Sequence, residues 1–144
     1  MSSPLGEWDT PNDGLDDDRG AEGFVSGTPP LVYGSVDEFV REYLREVYRR
    51  KIDGRSAYWA AQWWRYDEAV CRLEALWRAW EHLRQDPATG MSVWWRDHAD
   101  HHMDILMSET GPFGHLEDTN DKDDRRLPYT HPPTGLFPDV RRQQ

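Results

Sequence analysis

From Ser35 onward, apolar residues recur along the chain with a helical period. Val36, Phe39, Val40, Tyr43, Leu44 and Val47 are spaced three and four apart, which puts them on one stripe. Ser35-Val36-Asp37-Glu38 has the form of a capping box, in which a hydroxyl and a carboxylate satisfy each other's free backbone N–H groups. A helix is therefore predicted to start there. Asp37 with Arg41, and Glu42 with Arg45, stand as supporting pairs on its solvent side. Arg49-Arg50-Lys51 suits the negative C-terminal end of the helix dipole and Gly54 follows, so the end is expected near Lys51.

A second helix is predicted from about Asp67 to Gln85, with Ala69, Val70, Leu73, Leu76, Trp77, Trp80 and Leu83 on one face. Its opposite side carries the small residues Cys71, Ala75 and Ala79, either a second packing face or an exposed Ala-rich one. Whether this helix extends back through Trp59, Trp63 and Trp64 stays open, because Ala60 and Ala61 favour helix while Trp64 would leave the stripe. Asp86-Pro87-Ala88-Thr89-Gly90 reads as a turn. The third helix is expected from about Met91 to Met107, with Met91, Trp94, Trp95, His98, His102, Ile105 and Leu106 as its apolar stripe and Gly111-Pro112 beyond its end. After it the periodicity stops. Leu127-Pro128 and the run from Pro132 to Pro138 favour extended backbone, which aromatic surfaces bind well. Leu127 to Phe137 is predicted to strap back over the Trp-rich helices.

Composition changes this picture in two ways. Of 144 residues only 37% are hydrophobic, and the net charge is −10. Residues 1–34 hold seven acids against one base, residues 35–106 hold 13 against 11, and residues 107–144 hold seven against five. The acidity thus lies mainly in the first segment, which is rich in Gly, Pro and Ser and carries Asp16-Asp17-Asp18. Such a segment buries too little to offset its ordering entropy, so disorder is expected there. The second change is the tryptophan content. Seven of the eight Trp fall between positions 59 and 95, and each buries roughly 150–250 Å² when covered. A three-helix unit near the lower size limit for one core is not expected to cover them all. Uncovered Trp would form a patch for a partner, whereas Trp64 and Trp94 lying under the C-terminal segment is the competing outcome.

The sequence shows no apolar run long enough to span a membrane and no signal-peptide pattern, so a cytoplasmic location is expected. One cysteine, Cys71, excludes an internal disulfide. The acidic balance opposes direct nucleic-acid binding. The one cluster with a chemical flavour is Asp97-His98-Ala99-Asp100-His101-His102. His98 and His102 stand one helical turn apart, as a zinc site requires, but Ala99 occupies the place of the general-base Glu in HExxH. A third ligand would have to come from His115, from His131 or from a carboxylate. Against the metal stands the simpler reading of two buried imidazoles in the stripe. No catalytic residue is assigned, since nucleophile elbow, P-loop and dinucleotide motifs are all missing.

The runs FVREYLREVYRRKI and RLEALWRAWEHLRQDPATGMSVWWRDHADHHM, together with GPF and the closing LP and PPTGLF, carry a resemblance. Over roughly residues 31–138 the chain resembles domain of unknown function 4913, a family of actinobacterial proteins often encoded on phages and conjugative elements. The resemblance implies a small helical domain with a variable N-terminal tail and brings no activity, cofactor or catalytic residue. The chain departs from the family's pattern at Asp67 and His101, where Pro is expected, and after Phe113, where Cys is frequent. A metal site common to the family would therefore rest on His98 and His102.

Together these readings predict an all-α protein. Residues 1–34 form a disordered acidic tail, residues 35–107 a small three-helix bundle, and residues 108–144 an extended Pro-rich segment packing partly on the helices. The expected role is a non-enzymatic interaction module of a mobile element, with Trp63, Trp64, Trp94 and Trp95 as anchors for a protein partner or a second copy. Two rival readings are a metal-binding protein or metal-dependent enzyme built on His98 and His102, and an acidic nucleic-acid mimic. The mimic would need carboxylates on an ordered surface, whereas most of the net charge lies in the tail.

Overall fold

A computed structural model describes residues 29–143. The acidic tail expected over residues 1–34 lies, up to residue 28, outside the described residues. The compact unit begins at Leu31 rather than Ser35. Leu31 and Tyr33 pack against the core, and the Tyr33 ring meets Phe39 edge-on and Trp80 at a tilt, at ring distances of 5.8 and 5.3 Å.

The described residues contain three helices and no strand, an all-α arrangement. Helix α1 consists of Val36–Phe39, a π-helical stretch Val40–Leu44, and Arg45–Val47. Helix α2 is Asp67–Leu83. Helix α3 consists of Gly90–Val93, a π-helical stretch Trp94–Ala99, and Asp100–Leu106. Among the described residues no helix is long and apolar enough to cross a membrane.

The π stretches change which side chains are buried. A π turn holds one more residue than an α turn, so it shifts the phase of everything after it. From Trp94 onward the buried positions of α3 are Trp94, Ala99, Met103 and Leu106, and the step from Trp94 to Ala99 is five residues, not four. The i, i+4 rule assigns His98 and His102 to the stripe, and the structure instead leaves both half-buried at its edge. Helix α1 repeats the device: Phe39, Leu44 and Tyr48 are buried, and Val47 is 36% exposed.

The local start signal of α1 works with a shifted partner. The Ser35 hydroxyl accepts the Glu38 N–H at 3.1 Å, but the Glu38 carboxylate takes the N–H of Gly34 at 2.6 Å instead of that of Ser35. The expected end near Lys51 moves back to Val47, because Tyr48 leaves helical geometry at φ −110° and ψ 79°. Its ring stacks on Trp95 at 5.5 Å, its hydroxyl reaches Asp100 at 3.3 Å, and the Arg50 guanidinium covers it at 4.1 Å. These tertiary contacts outweigh the basic residues that would have prolonged the helix. Burial, with Asp100 beside it, pushes the Tyr48 hydroxyl up to about 12. The possibility that α2 starts earlier is resolved as a separate 3-10 turn, Trp63–Arg65. Between α2 and α3 the chain reverses tightly: a Cβ on Gly90 would lie 1.9 Å from the Leu83 carbonyl oxygen, so only glycine fits there.

Much of the core comes from segments outside the helices. Ile52, Trp59, Trp63, Phe113 and Leu127 are 1% exposed or less. The segment after residue 126 is attached at several points. Trp63 stacks on Phe137 at 5.5 Å, Trp64 Nε1 donates to the Thr130 carbonyl at 3.0 Å, and Arg45 Nε donates to the Leu127 carbonyl at 2.8 Å. Arg45 therefore serves the strap and not the Glu42 pair expected from spacing. Tyr129 donates its hydroxyl proton to Asp37 on α1, and burial with this carboxylate holds the phenol well above its ordinary range. A chain truncated after Arg126 is expected to melt on the order of 10 °C lower, since it uncovers Trp63 and removes Leu127 from the core. Scanning calorimetry checks this, and an unchanged midpoint would show that the strap adds nothing to the fold.

Candidate interaction cleft

A cleft of ≈ 660 Å³ is built by three segments far apart in sequence. Gln62, Arg65 and Tyr66 come from the connection between α1 and α2, Asp118 from the segment after α3, and Thr130 from the strap, with Ala60 and Leu116 as apolar parts of the wall.

Local hydrogen bonds hold each wall. Asp53 closes the turn before the first wall: its carboxylate accepts the backbone N–H groups of Arg55, Ser56 and Ala57 at 2.9, 2.8 and 3.1 Å. These bonds, the Ser56 N–H foremost, hold its carboxyl far below the usual carboxylate range. Gly54 in this turn has φ +70°, a conformation that glycine adopts without strain. Asn120 secures the second wall by accepting the Ile52 N–H at 2.9 Å and donating to the Arg50 and Arg126 carbonyls at 2.7 and 3.0 Å. Ala61 joins all three segments. Its N–H donates to Asp118 Oδ2 at 2.8 Å, and its carbonyl accepts the Thr130 N–H at 3.0 Å.

The polar groups of the cleft are half committed. Arg65 uses Nη1 to donate to Gln62 Oε1 at 3.0 Å, and no carboxylate of the described residues lies within ion-pair distance of it. Asp118 spends Oδ2 on Ala61 and forms no ion pair among the described residues. The Tyr66 ring is fixed edge-on to Phe113 at 5.3 Å, while its hydroxyl and that of Thr130 bond to no described residue.

The residues singled out by sequence fall in different places. Trp63 and Trp94 are 0% exposed, so they are core residues in this conformation and present no surface to a partner. Trp94 lies beneath α1 and α2, with its Nε1 on the Leu76 carbonyl at 3.0 Å and its ring against Phe39 and Tyr43, and not beneath the C-terminal segment. Trp64 and Trp95 are half-buried. Trp64 borders the cleft through its bond to Thr130, whereas Trp95 stacks on Tyr48 elsewhere. The four are thus not one patch. Trp59, Trp77 and Trp80 are also covered, by irregular segments as much as by helices.

His98 and His102 do not gather ligands. Among the described residues no group of three or more His, Cys, Asp or Glu is placed to hold a metal ion. The His102 Nδ1 atom lies 3.0 Å from Arg72 Nη1, a cation where a metal would stand. Burial, with Arg72, His101 and His98 nearby, pushes the His102 imidazole below its ordinary value. Cys71 and Ala75 of the small-residue line are exposed, so α2 packs through one face there.

A family model for a domain of unknown function matches residues 33–134. The chain belongs to domain of unknown function 4913. No curated protein and no solved structure matches it. The stretch characteristic of the 4913 family starts at Tyr33, which is tied to the core, and contains every residue of the cleft. Sequence reasoning had passed over Arg65, Asp118 and Thr130. The one signal was Arg65 itself, the only charged residue between Arg55 and Asp67 in a run of aromatic and small residues.

Proposed function

We propose that this chain is a non-enzymatic protein-interaction module, an accessory protein of an actinobacterial phage or conjugative element, and that its recognition site is the cleft between residues 60–66, Asp118 and Thr130. One observation carries the reading: a cleft of ≈ 660 Å³ in which Arg65 and Asp118 each give one side to the fold and keep the other open. That volume falls within the range of roughly 300–1,000 Å³ typical of ligand sites. Rigid walls with outward hydrogen-bonding capacity reduce the ordering cost of recognition. Trp64 contributes by holding Thr130 in place, and its half-exposed ring supplies apolar surface at the edge.

The reading is tested by introducing a photo-crosslinking amino acid into the full chain in its host, at Gln62 in the cleft or at Ala75 on the far face of α2. Both positions are exposed. A discrete protein adduct from position 62 and none from position 75 is the expected result. Adducts equal at both positions, or absent from position 62, would overturn it.

A further inference from the structure

Resting on that reading of the cleft, we infer that its ligand is an extended peptide segment bearing one acidic and one basic side chain, the acid seated on Arg65 and the base on Asp118. The inference comes from how the cleft's charges are held. Several charges elsewhere on this surface are paired, Arg41 with Asp37 and Glu42, Arg49 with Glu46 and Asp124, Arg72 with Glu68, and Arg141 with Asp139 and Glu38, whereas others, Lys51, Arg55 and Glu117 among them, form no ion pair among the described residues. Arg65 and Asp118 line one cleft, yet neither pairs with the other or with any other charged group of the described residues. Their backs are fixed, Arg65 by Gln62 and Asp118 by the Ala61 N–H. What remains open is a guanidinium edge on one wall and a carboxylate oxygen on the other, with the hydroxyls of Tyr66 and Thr130 as further hydrogen-bonding groups.

A ligand satisfies this arrangement by bringing an acceptor-bearing anion and a donor-bearing cation separated from each other. A phosphate group does not, because Asp118 would repel it and Arg65 is the only cation in the wall. A purely acidic peptide meets the same repulsion, and a purely apolar one leaves both charges without partners. The free hydroxyls of Tyr66 and Thr130 suit the alternating N–H and C=O groups of an extended main chain. Opposite charges on the two walls also fix the direction in which such a segment lies, since reversing it would set like charges together.

The test uses the ¹⁵N-labelled full chain and four probes: capped Gly/Ser peptides containing Glu and Lys three residues apart, Glu alone or Lys alone, and inorganic phosphate. Titration is followed at the Gln62 side-chain amide and the Ala61 and Thr130 backbone amides. The Glu/Lys peptide is expected to shift these signals and to bind several-fold more tightly than either single-charge peptide. Arg65→Gln and Asp118→Asn are each expected to weaken it about three-fold, the size of one exposed charge pair. Asn keeps an acceptor for the Ala61 N–H, so unchanged indole signals verify that the variant remains folded. Equal or stronger shifts with phosphate or with the Glu-only peptide, no saturable shift with the Glu/Lys peptide, or indifference to both substitutions would overturn the inference. If position 62 still crosslinks a partner while the Glu/Lys peptide fails, the cleft stands as the site and the ligand class falls. If crosslinking also fails, both fall together.

Discussion

Glu81→Ala is expected to lower the unfolding free energy by about 3 kcal/mol, because it removes a buried carboxylate shared by the buried Trp77 indole and several part-buried donors. Glu81 is 5% exposed, the one buried charged residue among the described residues. Its two oxygens accept the backbone N–H of Val32 at 3.0 and 3.1 Å, the N–H of Tyr33 at 2.9 Å and the Trp77 indole N–H at 3.1 Å, while Arg84 Nε approaches at 3.2 Å. Alanine leaves the Val32, Tyr33 and Trp77 N–H groups without this acceptor and frees the segment that seats Tyr33 against Trp80. Urea titration should show a midpoint shift of that size with a nearly constant m-value. Glu81→Gln keeps the shape but turns a donor toward other donors, so it is expected to fall between the two. A variant as stable as the parent would mean that the carboxylate is not the attachment point of residues 31–33.

Trp94→Ala should be still more damaging, by about 4 kcal/mol, the range for deleting a fully buried large aromatic. The indole fills the junction of the three helices, bonded to the Leu76 carbonyl on α2 and packed on Phe39, Tyr43 and Trp95 at 6.3, 6.0 and 5.3 Å. Typical domains are stable by only about 5–15 kcal/mol, so a loss of this size brings a small one close to unfolding. Trp95→Ala removes a half-exposed ring and should cost clearly less. Chemical denaturation of the two variants side by side gives the comparison. If Trp94→Ala kept its melting temperature and lost only a partner, Trp94 would be a surface anchor after all.

The contrast between these two neighbours marks how far sequence pattern reached. Spacing placed α1, α2 and α3 to within a few residues, and it named Leu73, Leu76, Trp77, Trp80 and Leu106 as core, all of them 8% exposed or less. It could not place the π turn at Trp94–Ala99, because an extra residue in one turn is chosen by packing and leaves no mark in the apolar period. That single residue moved Ala99 and Met103 inward and His98 and His102 outward, and it removed the reason to read the two histidines as core or as ligands. Charges behaved similarly. Arg45 looked like the partner of Glu42 and instead holds the Leu127 carbonyl. The cleft was hidden for a related reason, since its walls join residues 57 and 69 positions apart, from Ala61 to Asp118 and Thr130.

By itself, the sequence determined what local physics controls: three helices, their capping and turn signals, the acidity lying mainly in residues 1–34 and a surplus of Trp, together with membership of the 4913 family. Only the tertiary structure decided which Trp are core, where the helical phase shifts, that irregular segments close over the indoles, and that Arg65 and Asp118 face one cleft without pairing. The division follows from range. Period, capping and dipole effects act within one or two turns and are written in adjacent residues. Burial, buried hydrogen bonding and the pairing of charges depend on which distant segments meet, and that is fixed only when the chain packs.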